Sequence, residues 1–495
     1  MKIRPVPTRL TQPTLGRVGR DHRQKQQESQ VHPFPQRPAC GILQPMKTSP
    51  SSLCIVNAHV VLPSGIVETD IGIHNGKIVE IAKPLQQKYE ETLDARNLTV
   101  LPGVIDTQVH FREPGMEYKE DLATGSLAAI AGGVTTFFEM PNTKPNTTTR
   151  ELLQDKLQRA RGRAWADHAF FLGATTENAN LLASCEDLDG FAGVKIFMGS
   201  STGTLLVPDD DHLRMALKSG TRRVAVHAED ENRLRWLAET VPATRPHDHP
   251  KRRDPECARL AVQRLLDLAA ETNRHVHVLH VNSAEELEVM RHHPARRLLT
   301  AEVTPQHLTM HAPECYDRLG TLAVMNPPIR DERHQKALWT ALRDGTLTCI
   351  GSDHAPHTME EKNAGYPGAP SGMPGVQTTL PVLLNQVALG NARLEEVVLW
   401  TAQRPAEVYQ IAHKGRIAHG FDADLVLVDL QKVHALQQHE IRSRVGWSPW
   451  LDVPLQGWPV TTILRGNVVF TAGQPVGDPQ GKPVTCGEPT NNVGK

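Results

Sequence analysis

Eight short apolar segments alternate with helix-type patterns through the middle of the chain, and this alternation constrains the fold most strongly. The segments span residues 104–111, 135–141, 168–173, 193–198, 223–228, 275–281, 299–303 and 347–352. Amphipathic stretches such as 256–271 and 332–344 lie between most of them. Such repeated units over roughly 300 residues predict an α/β fold, a (β/α)8 TIM-type barrel. A doubly wound open sheet is the weaker alternative, because no Gly-x-Gly-x-x-Gly follows the first strand.

Strand patterns also occur on both sides of this central region. Residues 52–100 contain short strand-type runs, and Asn75-Gly76 between two of them is a hairpin signal. Residues 414–475 contain comparable runs. We therefore predict a small flanking β-domain formed from 52–100 and 414–475, a barrel over 101–413 and a tail over 476–495.

The beginning of the chain has a different composition. Residues 1–45 are rich in Pro, Gln and Arg and lack apolar periodicity, so they cannot bury enough surface to offset the entropy of ordering. We predict a disordered extension over 1–51, with Met46 as an alternative start.

Overall composition excludes several classes of function. The formal net charge is −1, so no global basic field would attract nucleic acid. No segment approaches the roughly 20 apolar residues that span a bilayer. The seven cysteines are scattered and suggest reduced thiols in a cytoplasmic enzyme rather than a disulfide framework.

Side chains suited to metal binding recur near the ends of the predicted strands. They are His110, Lys195, His227, His280 and Asp353. The carboxyl ends of barrel strands converge on one face, where catalytic residues of such barrels lie. One histidine at a strand end is usually structural, but five such residues at five strand ends are hard to explain by packing. The pattern therefore predicts a metal site.

Residues 103–115 read Gly-Val-Ile-Asp-Thr-Gln-Val-His-Phe-Arg-Glu-Pro-Gly. This stretch resembles the first barrel strand of the amidohydrolase superfamily and, within it, of dihydroorotases. That family normally has His-Val-His-Phe-Arg-Glu-Pro-Gly, so Gln108 stands in place of the first histidine. The resemblance covers about residues 52–475 and includes Met-Pro-Asn142, Met-Asn326-Pro-Pro and Asp353-His-Ala-Pro-His357 in the family order.

The resemblance implies a zinc centre with one or two ions per subunit. One ion would be held by His110, Asp353 and a carbamate formed on Lys195, and the other by the same carbamate with His227 and His280. Burial favours the neutral lysine amine, which is the form that reacts with CO2. An amide is a weaker zinc ligand than imidazole, so Gln108 is predicted to be a weak ligand or none.

The resemblance also implies a substrate site. Arg112, Asn142 and His357 would bind a carboxylate, while Asn326 and the backbone near Pro374 and Gly375 would contact the ring. Two other features are expected to lack a direct role. The polar loop at 246–253 is predicted to be solvated, and His307 is predicted to be structural.

The activity implied is the reversible hydrolysis of L-dihydroorotate to N-carbamoyl-L-aspartate in pyrimidine biosynthesis. Asp353 would move the proton. The substrate is a small molecule, and we expect a homo-oligomer that associates with aspartate transcarbamoylase in some settings. Two alternatives stay open: another cyclic-amide hydrolase acting on allantoin or a hydantoin, and a non-catalytic subunit that supports aspartate transcarbamoylase.

Overall fold

The computed structural model describes residues 51–201 and 203–490. The extension predicted for 1–51, including Met46, lies outside this part of the chain except for its last residue. Within the described ranges, no helix has the length and apolarity needed to cross a membrane. The six cysteines found there are all buried and free.

The strands and helices follow the predicted alternation closely. The strands are β1 Ser52–Leu62, β2 Gly65–His74, β3 Lys77–Ala82, β4 Glu91–Asp94, β5 Thr99–Pro102, β6 Val104–Val109, β7 Val134–Glu139, β8 Asp167–Gly173, β9 Phe191–Phe197, β10 Val224–His227, β11 Val276–Val278, β12 Leu299–Val303, β13 Cys349–Ile350, β14 Leu425–Ala435, β15 Pro454–Leu464, β16 Asn467–Thr471 and β17 Gln474–Pro475. The helices are α1 Leu122–Ala131, α2 Arg150–Ala160, α3 Asp210–Lys218, α4 Glu231–Thr240, α5 His249–Arg252, α6 Pro255–Thr272, α7 Ala284–His292, α8 Pro305–Thr309, α9 Glu314–Leu319, α10 Glu332–Arg343, α11 Met359–Lys362, α12 Thr379–Ala388, α13 Leu394–Val398 and α14 Arg404–Val408.

The central region is a nearly closed parallel barrel, as predicted. An eight-stranded sheet runs in sequence order from β6 to β13, and every pair in it is parallel. A bridge between Val109 and His354 brings the last strand back to the first. The strands are buried on both faces, which explains their continuous apolar runs.

The flanking β-domain is formed from both terminal regions, as predicted. In a nine-stranded sheet, β14 pairs antiparallel with β5, so that Leu425 lies opposite Pro102. The predicted hairpin joins β2 and β3. Its turn residues Asn75 and Gly76 have φ of 49° and 77°, the left-handed conformation that an Asn-Gly turn of this type requires.

Residues 481–487, which we call the C-terminal strap, cross the amino-terminal end of the barrel. The N–H of Gly481 donates to the Ala164 carbonyl at 2.8 Å, and His168 exchanges backbone hydrogen bonds with the strap, one of them from Val484 at 2.9 Å. Val484 and Cys486 pack into the apolar cluster inside the barrel. The strap therefore closes the barrel at the end opposite the predicted site.

Candidate metal and substrate site

A small polar cavity opens at the carboxyl end of the barrel strands. It is lined by Gln108, His110, Arg112, Asn142, Lys195, Phe197, Ser201, His227, His280, Asn326, Asp353, Ala355, Ser371 and Gly372. Nine of the predicted site residues are in this set. Of the remaining three, His357 lies behind Arg112, and Pro374 and Gly375 border a neighbouring small cavity.

Two histidine rings meet on one side of the cavity. The Nδ1 of His227, at the end of β10, lies 3.1 Å from Nε2 of His280. Burial lowers the pKa of both imidazoles, which keeps them neutral. The Nε2 of His227 donates to Glu229 at 2.8 Å, so its Nδ1 carries a lone pair. This nitrogen and the nearby Nε2 of His280 are both of the type that ligates zinc.

A buried carboxylate fixes the orientation of His227. Glu229 accepts the hydrogen bond from His227 and two from Nε of Arg253, each at 3.2 Å. Burial alone would raise the pKa of Glu229, but the charge of Arg253 and the hydrogen bond from His227 outweigh it and hold the pKa well below its usual range. The carboxylate is therefore ionised, as in carboxylate–histidine–metal arrangements. Sequence reasoning missed this contact, although Glu229 is only two residues beyond His227.

A second group of donors surrounds Asp353. The Nε2 of His110 lies 3.2 Å from Oδ1 of Asp353, while its Nδ1 lies 2.9 Å from Oδ1 of Asn142. Burial, together with the charges of Arg112 and Lys195, lowers the pKa of His110 well below its usual value. The ring is therefore neutral, with its proton directed to Asn142 and a lone pair directed to Asp353. A cation between this nitrogen and the carboxylate would satisfy both.

Gln108 lies beside the same carboxylate. Its Nε2 donates to Oδ1 of Asp353 at 3.0 Å. Its Oε1 is buried, and no hydrogen-bond partner for it is found among the described residues. An unsatisfied buried carbonyl oxygen costs free energy, and a bound cation would satisfy it. The donor set around the cavity therefore fits a divalent metal, while ligation by Gln108 stays a prediction.

Lys195 stands at the centre of these groups. It lies in β9 and is buried, with its Nζ 4.4 Å from the centroid of the Phe197 ring. Burial lowers the pKa of Lys195 to about 7, although Asp353 and Glu302 oppose the shift. Its charge also contributes to the lowered pKa of His110, His227 and His280. A substantial fraction of the amine is thus neutral near pH 7.

Three site residues have a left-handed backbone. They are Arg112, His280 and Asp353, with φ of 66°, 39° and 45°. For residues other than glycine, this conformation costs on the order of 1–3 kcal/mol and is found mainly at functional sites. Each follows shortly after a barrel strand, so the strained backbone turns a polar side chain into the cavity.

Arg112 forms the cationic wall of the cavity. Its Nε donates to the Pro356 carbonyl at 3.3 Å, and its Nη2 lies 3.3 Å from Nε2 of His357. Lys119 donates to Nδ1 of His357 at 3.0 Å and pairs with Glu361 at 2.8 Å. Burial lowers the pKa of Arg112 to about 10, which leaves it charged at neutral pH. Within residues 51–201 and 203–490, no carboxylate forms an ion pair with this guanidinium.

The sequence predicts a solvated loop at 246–253, but part of this loop is buried beside the site. That prediction is wrong for Asp248 and His249, which are both buried. His249 reaches the cavity wall, where its Nε2 lies 2.9 Å from Oδ1 of Asn326. The residue types in this loop are polar, and only the tertiary fold shows which of them are buried.

The segment predicted to contact a ring lies on the other wall. Ser371 and Gly372 line the cavity. The N–H of Gly375 instead donates to Nδ1 of His354 at 3.1 Å, and His354 in turn contacts Glu120 at 3.3 Å. Pro374 and Gly375 are therefore held just behind the cavity wall. His307 contacts Thr304 and the Pro327 carbonyl, and its structural role stays a prediction.

A second polar layer lies inside the barrel. His277, Glu302 and Cys349 bring ligand-type atoms within 4.8 Å of one another. However, Nε2 of His277 lies 3.1 Å from Glu302, and Thr107 donates to the same carboxylate. Sequence reasoning missed this layer, which we interpret as a hydrogen-bonded support for Lys195.

The chain belongs to the amidohydrolase family, whose sequence model matches residues 99–469. Such barrels generally use metal ions, in agreement with the donor set described above. Among its relatives are dihydroorotases from Methanosarcina acetivorans, 34% identical over 84% of this chain and 91% of that protein, and from Halobacterium salinarum, 37% identical over 75% and 86%.

Two solved structures with a similar fold are a hydantoinase and a dihydropyrimidinase. An L-hydantoinase (dihydropyrimidinase) from Arthrobacter aurescens superposes with a TM-score of 0.83 and 29% identity, covering 88% of this chain and 99% of that one. A dihydropyrimidinase from Brevibacillus agri gives a TM-score of 0.82 and 27% identity, over 89% and 99%. The superpositions cover nearly all of each solved chain and most of this one, so they show a shared overall fold.

Proposed function

We propose that this protein is a dihydroorotase, which hydrolyses L-dihydroorotate reversibly to N-carbamoyl-L-aspartate. The observation that carries the proposal is the buried, charged guanidinium of Arg112, which has no anionic partner among the described residues and borders the cavity. A substrate carboxylate would supply the missing anion through a two-pronged contact. Hydantoin and allantoin have no such carboxylate. The dihydroorotases among the relatives support this choice.

We further propose that the site holds one or two zinc ions. His227 and His280 would hold one ion, and His110 and Asp353 the other, with a carboxylated Lys195 between them and Gln108 as a weak ligand or none. The close approach of Nδ1 of His227 to Nε2 of His280, and of Nε2 of His110 to Oδ1 of Asp353, supports this assignment. When bound, zinc lowers the pKa of a water molecule and polarises the ring carbonyl.

Asp353 would carry the proton during the reaction. It lines the cavity, with its Oδ1 3.2 Å from Nε2 of His110, and a carboxylate placed there can accept a proton from water and return it. Gln108 and His110 are both directed at Oδ1, so Oδ2 would hold the proton. It would take this proton from the attacking water and give it to the ring nitrogen as the carbon–nitrogen bond breaks.

The other residues would bind and orient the substrate. Arg112 would hold the carboxylate, with His357 supporting the guanidinium from behind. Asn142 would bind the carboxylate together with Arg112, while its Oδ1 lies 2.9 Å from Nδ1 of His110. Asn326 would contact the ring of the substrate. A homo-oligomer, association with aspartate transcarbamoylase and a cytoplasmic location stay predictions.

The test is substrate choice by zinc-loaded protein. We expect turnover of L-dihydroorotate far above that of hydantoin or allantoin. Arg112→Ala should lower kcat/KM for L-dihydroorotate about 100-fold, since a charge-assisted two-pronged contact contributes roughly 3 kcal/mol. The control is Arg393→Ala, which removes an exposed arginine.

Three results would contradict the proposal in different ways. Equal or faster turnover of hydantoin would favour the alternative suggested by the structural neighbours. Metal binding without any turnover would favour the non-catalytic subunit. An unchanged kcat/KM in Arg112→Ala would show that the guanidinium of Arg112 does not bind the substrate carboxylate.

A further inference from the structure

His249 makes contacts that the proposed function does not yet use. It begins α5, and its Nε2 lies 3.0 Å from the Met325 carbonyl oxygen and 2.9 Å from Oδ1 of Asn326. Its Nδ1 lies 3.4 Å from the hydroxyl of Tyr366. The ring thus packs behind Asn326, which itself lines the cavity.

These contacts fix the proton of His249. Burial lowers its pKa to about 4, with Arg253 adding to the shift, so the ring is neutral and carries one proton. A main-chain carbonyl can only accept a hydrogen bond. The proton must therefore lie on Nε2, where the Met325 carbonyl accepts it, and Nδ1 accepts from Tyr366.

The same proton fixes the amide of Asn326. Because Nε2 of His249 is a donor, the Asn326 atom that lies 2.9 Å away must be the acceptor of that amide, its oxygen. The amide nitrogen then occupies the other branch of the side chain. What Asn326 offers to a bound molecule is an N–H donor.

We propose that His249 is a positioning residue that sets the specificity of the site, by holding Asn326 so that its NH2 group faces a carbonyl oxygen of the substrate ring. This inference rests on the proposed function. Without His249, the amide could rotate by about 180° and place its own oxygen against the ring carbonyl. The site would then lose its preference for a hydrogen-bond acceptor at this position.

The position of His249 is itself well supported. Its carbonyl accepts from the N–H of Arg253 at 3.2 Å, across a single helical turn. Arg253 bonds Glu229, which holds the predicted metal ligand His227. This single helical turn therefore supports both the predicted metal ligand His227 and the predicted substrate-binding residue Asn326.

The first experiment compares variants of the zinc-loaded full chain with L-dihydroorotate as substrate. His249→Phe keeps a ring of similar shape but removes the donor, and we expect KM to rise about tenfold with kcat changed less than about threefold. His249→Gln retains an N–H donor and should recover most of the loss. His247→Phe is the matched control, because His247 lies in the same loop but pairs with Asp317 near the surface, and it should behave like the wild type.

The second experiment is a double-mutant cycle with Asn326→Ala. If His249 acts through Asn326, the double variant should be no worse than Asn326→Ala alone. Additive losses, an unchanged KM in His249→Phe, or no recovery in His249→Gln would overturn the inference.

Asn326→Asp tests the same point without altering His249. It keeps the shape but replaces the NH2 group with oxygen, so we expect a larger loss than in Asn326→Ala. Binding equal to that of wild type would overturn the inference. Calorimetry with N-carbamoyl-L-aspartate gives the dissociation constant separately from turnover. If the wild type neither binds this compound nor hydrolyses L-dihydroorotate, the proposed function fails and the inference fails with it. If the wild type does both and the cycle is additive, only the inference fails.

Discussion

Replacing Glu229 with glutamine should weaken metal binding at the paired histidines. Glu229 is ionised and accepts a hydrogen bond from Nε2–H of His227 at 2.8 Å. This contact leaves the opposite nitrogen with its lone pair toward His280, and the negative charge makes the imidazole a better ligand. Glutamine has nearly the same size but no charge, and it replaces one of the two oxygens that accept from His227 and Arg253 with an NH2 group.

The structure sets the expected size of the effect. Loss of a hydrogen-bonded partner behind a metal-binding histidine typically costs 10- to 100-fold in metal affinity, or about 1.4–2.7 kcal/mol. Arg253 would lose its main anionic partner but keep a hydrogen bond to the Ser200 carbonyl at 2.7 Å. We therefore expect a further loss of folding stability of about 1–3 kcal/mol.

The assay is competition for zinc between metal-free protein and a chelator of known affinity. Asp230→Asn is the matched control, because Asp230 is the next residue, is buried and pairs with Arg264 at 2.7 Å without contacting His227. Asparagine can also keep the cap that Asp230 provides for α4. Zinc affinity of Glu229→Gln within twofold of the wild type would refute the reasoning.

Three further predictions concern the substrate, the second metal position and pH. Arg112→Lys should lower kcat/KM for L-dihydroorotate about 10- to 100-fold, because lysine cannot form the two-pronged contact; an equal loss with hydantoin would contradict this. Gln108→His should raise the amount of zinc that each chain retains after mild chelation, because imidazole is the better ligand. Atomic absorption measures this zinc content, and an unchanged value would rule out weak ligation by Gln108. Stability in urea should fall as pH drops from about 6.5 to about 4, because burial lowers the pKa of His168 to about 4 and the unfolded chain takes up the proton first. His168→Phe should make this dependence shallower by up to one proton per chain, because other buried histidines such as His249 also have a lowered pKa. An unchanged slope would show that His168 does not contribute.

The barrel and the residues at its strand ends could be predicted because both follow from local patterns. A strand buried on both faces is a continuous apolar run, and a polar side chain such as His227 or Lys195 at its end is easily recognised. The Asn75-Gly76 turn was equally clear, since few other sequences adopt its backbone. These features depend on neighbours within a few residues.

The support around the site could not be predicted, because it depends on residues that are distant in sequence. The contact between Oδ1 of Asn142 and the ring of His110 joins two residues that lie 32 positions apart. His249 lies in a polar loop that the sequence suggests is solvated, yet the fold buries it against Asn326. Whether a polar side chain is solvated or serves as a buried donor is decided by tertiary packing, which leaves no periodic signal.

The pairing of β5 with β14 also affects how the chain is made. These strands are separated by roughly 320 residues, so at about 5–20 residues per second a ribosome needs roughly 16–65 s to deliver the second after the first. During this interval the edge of β5 has no partner, and Val100 and Leu101, buried in the finished protein, lack the strand that covers them. The C-terminal strap emerges later still. Until then the nascent chain has an unpaired sheet edge at β5 and an uncovered amino-terminal end of the barrel. A chaperone that binds extended apolar segments would have access to both before the chain leaves the ribosome.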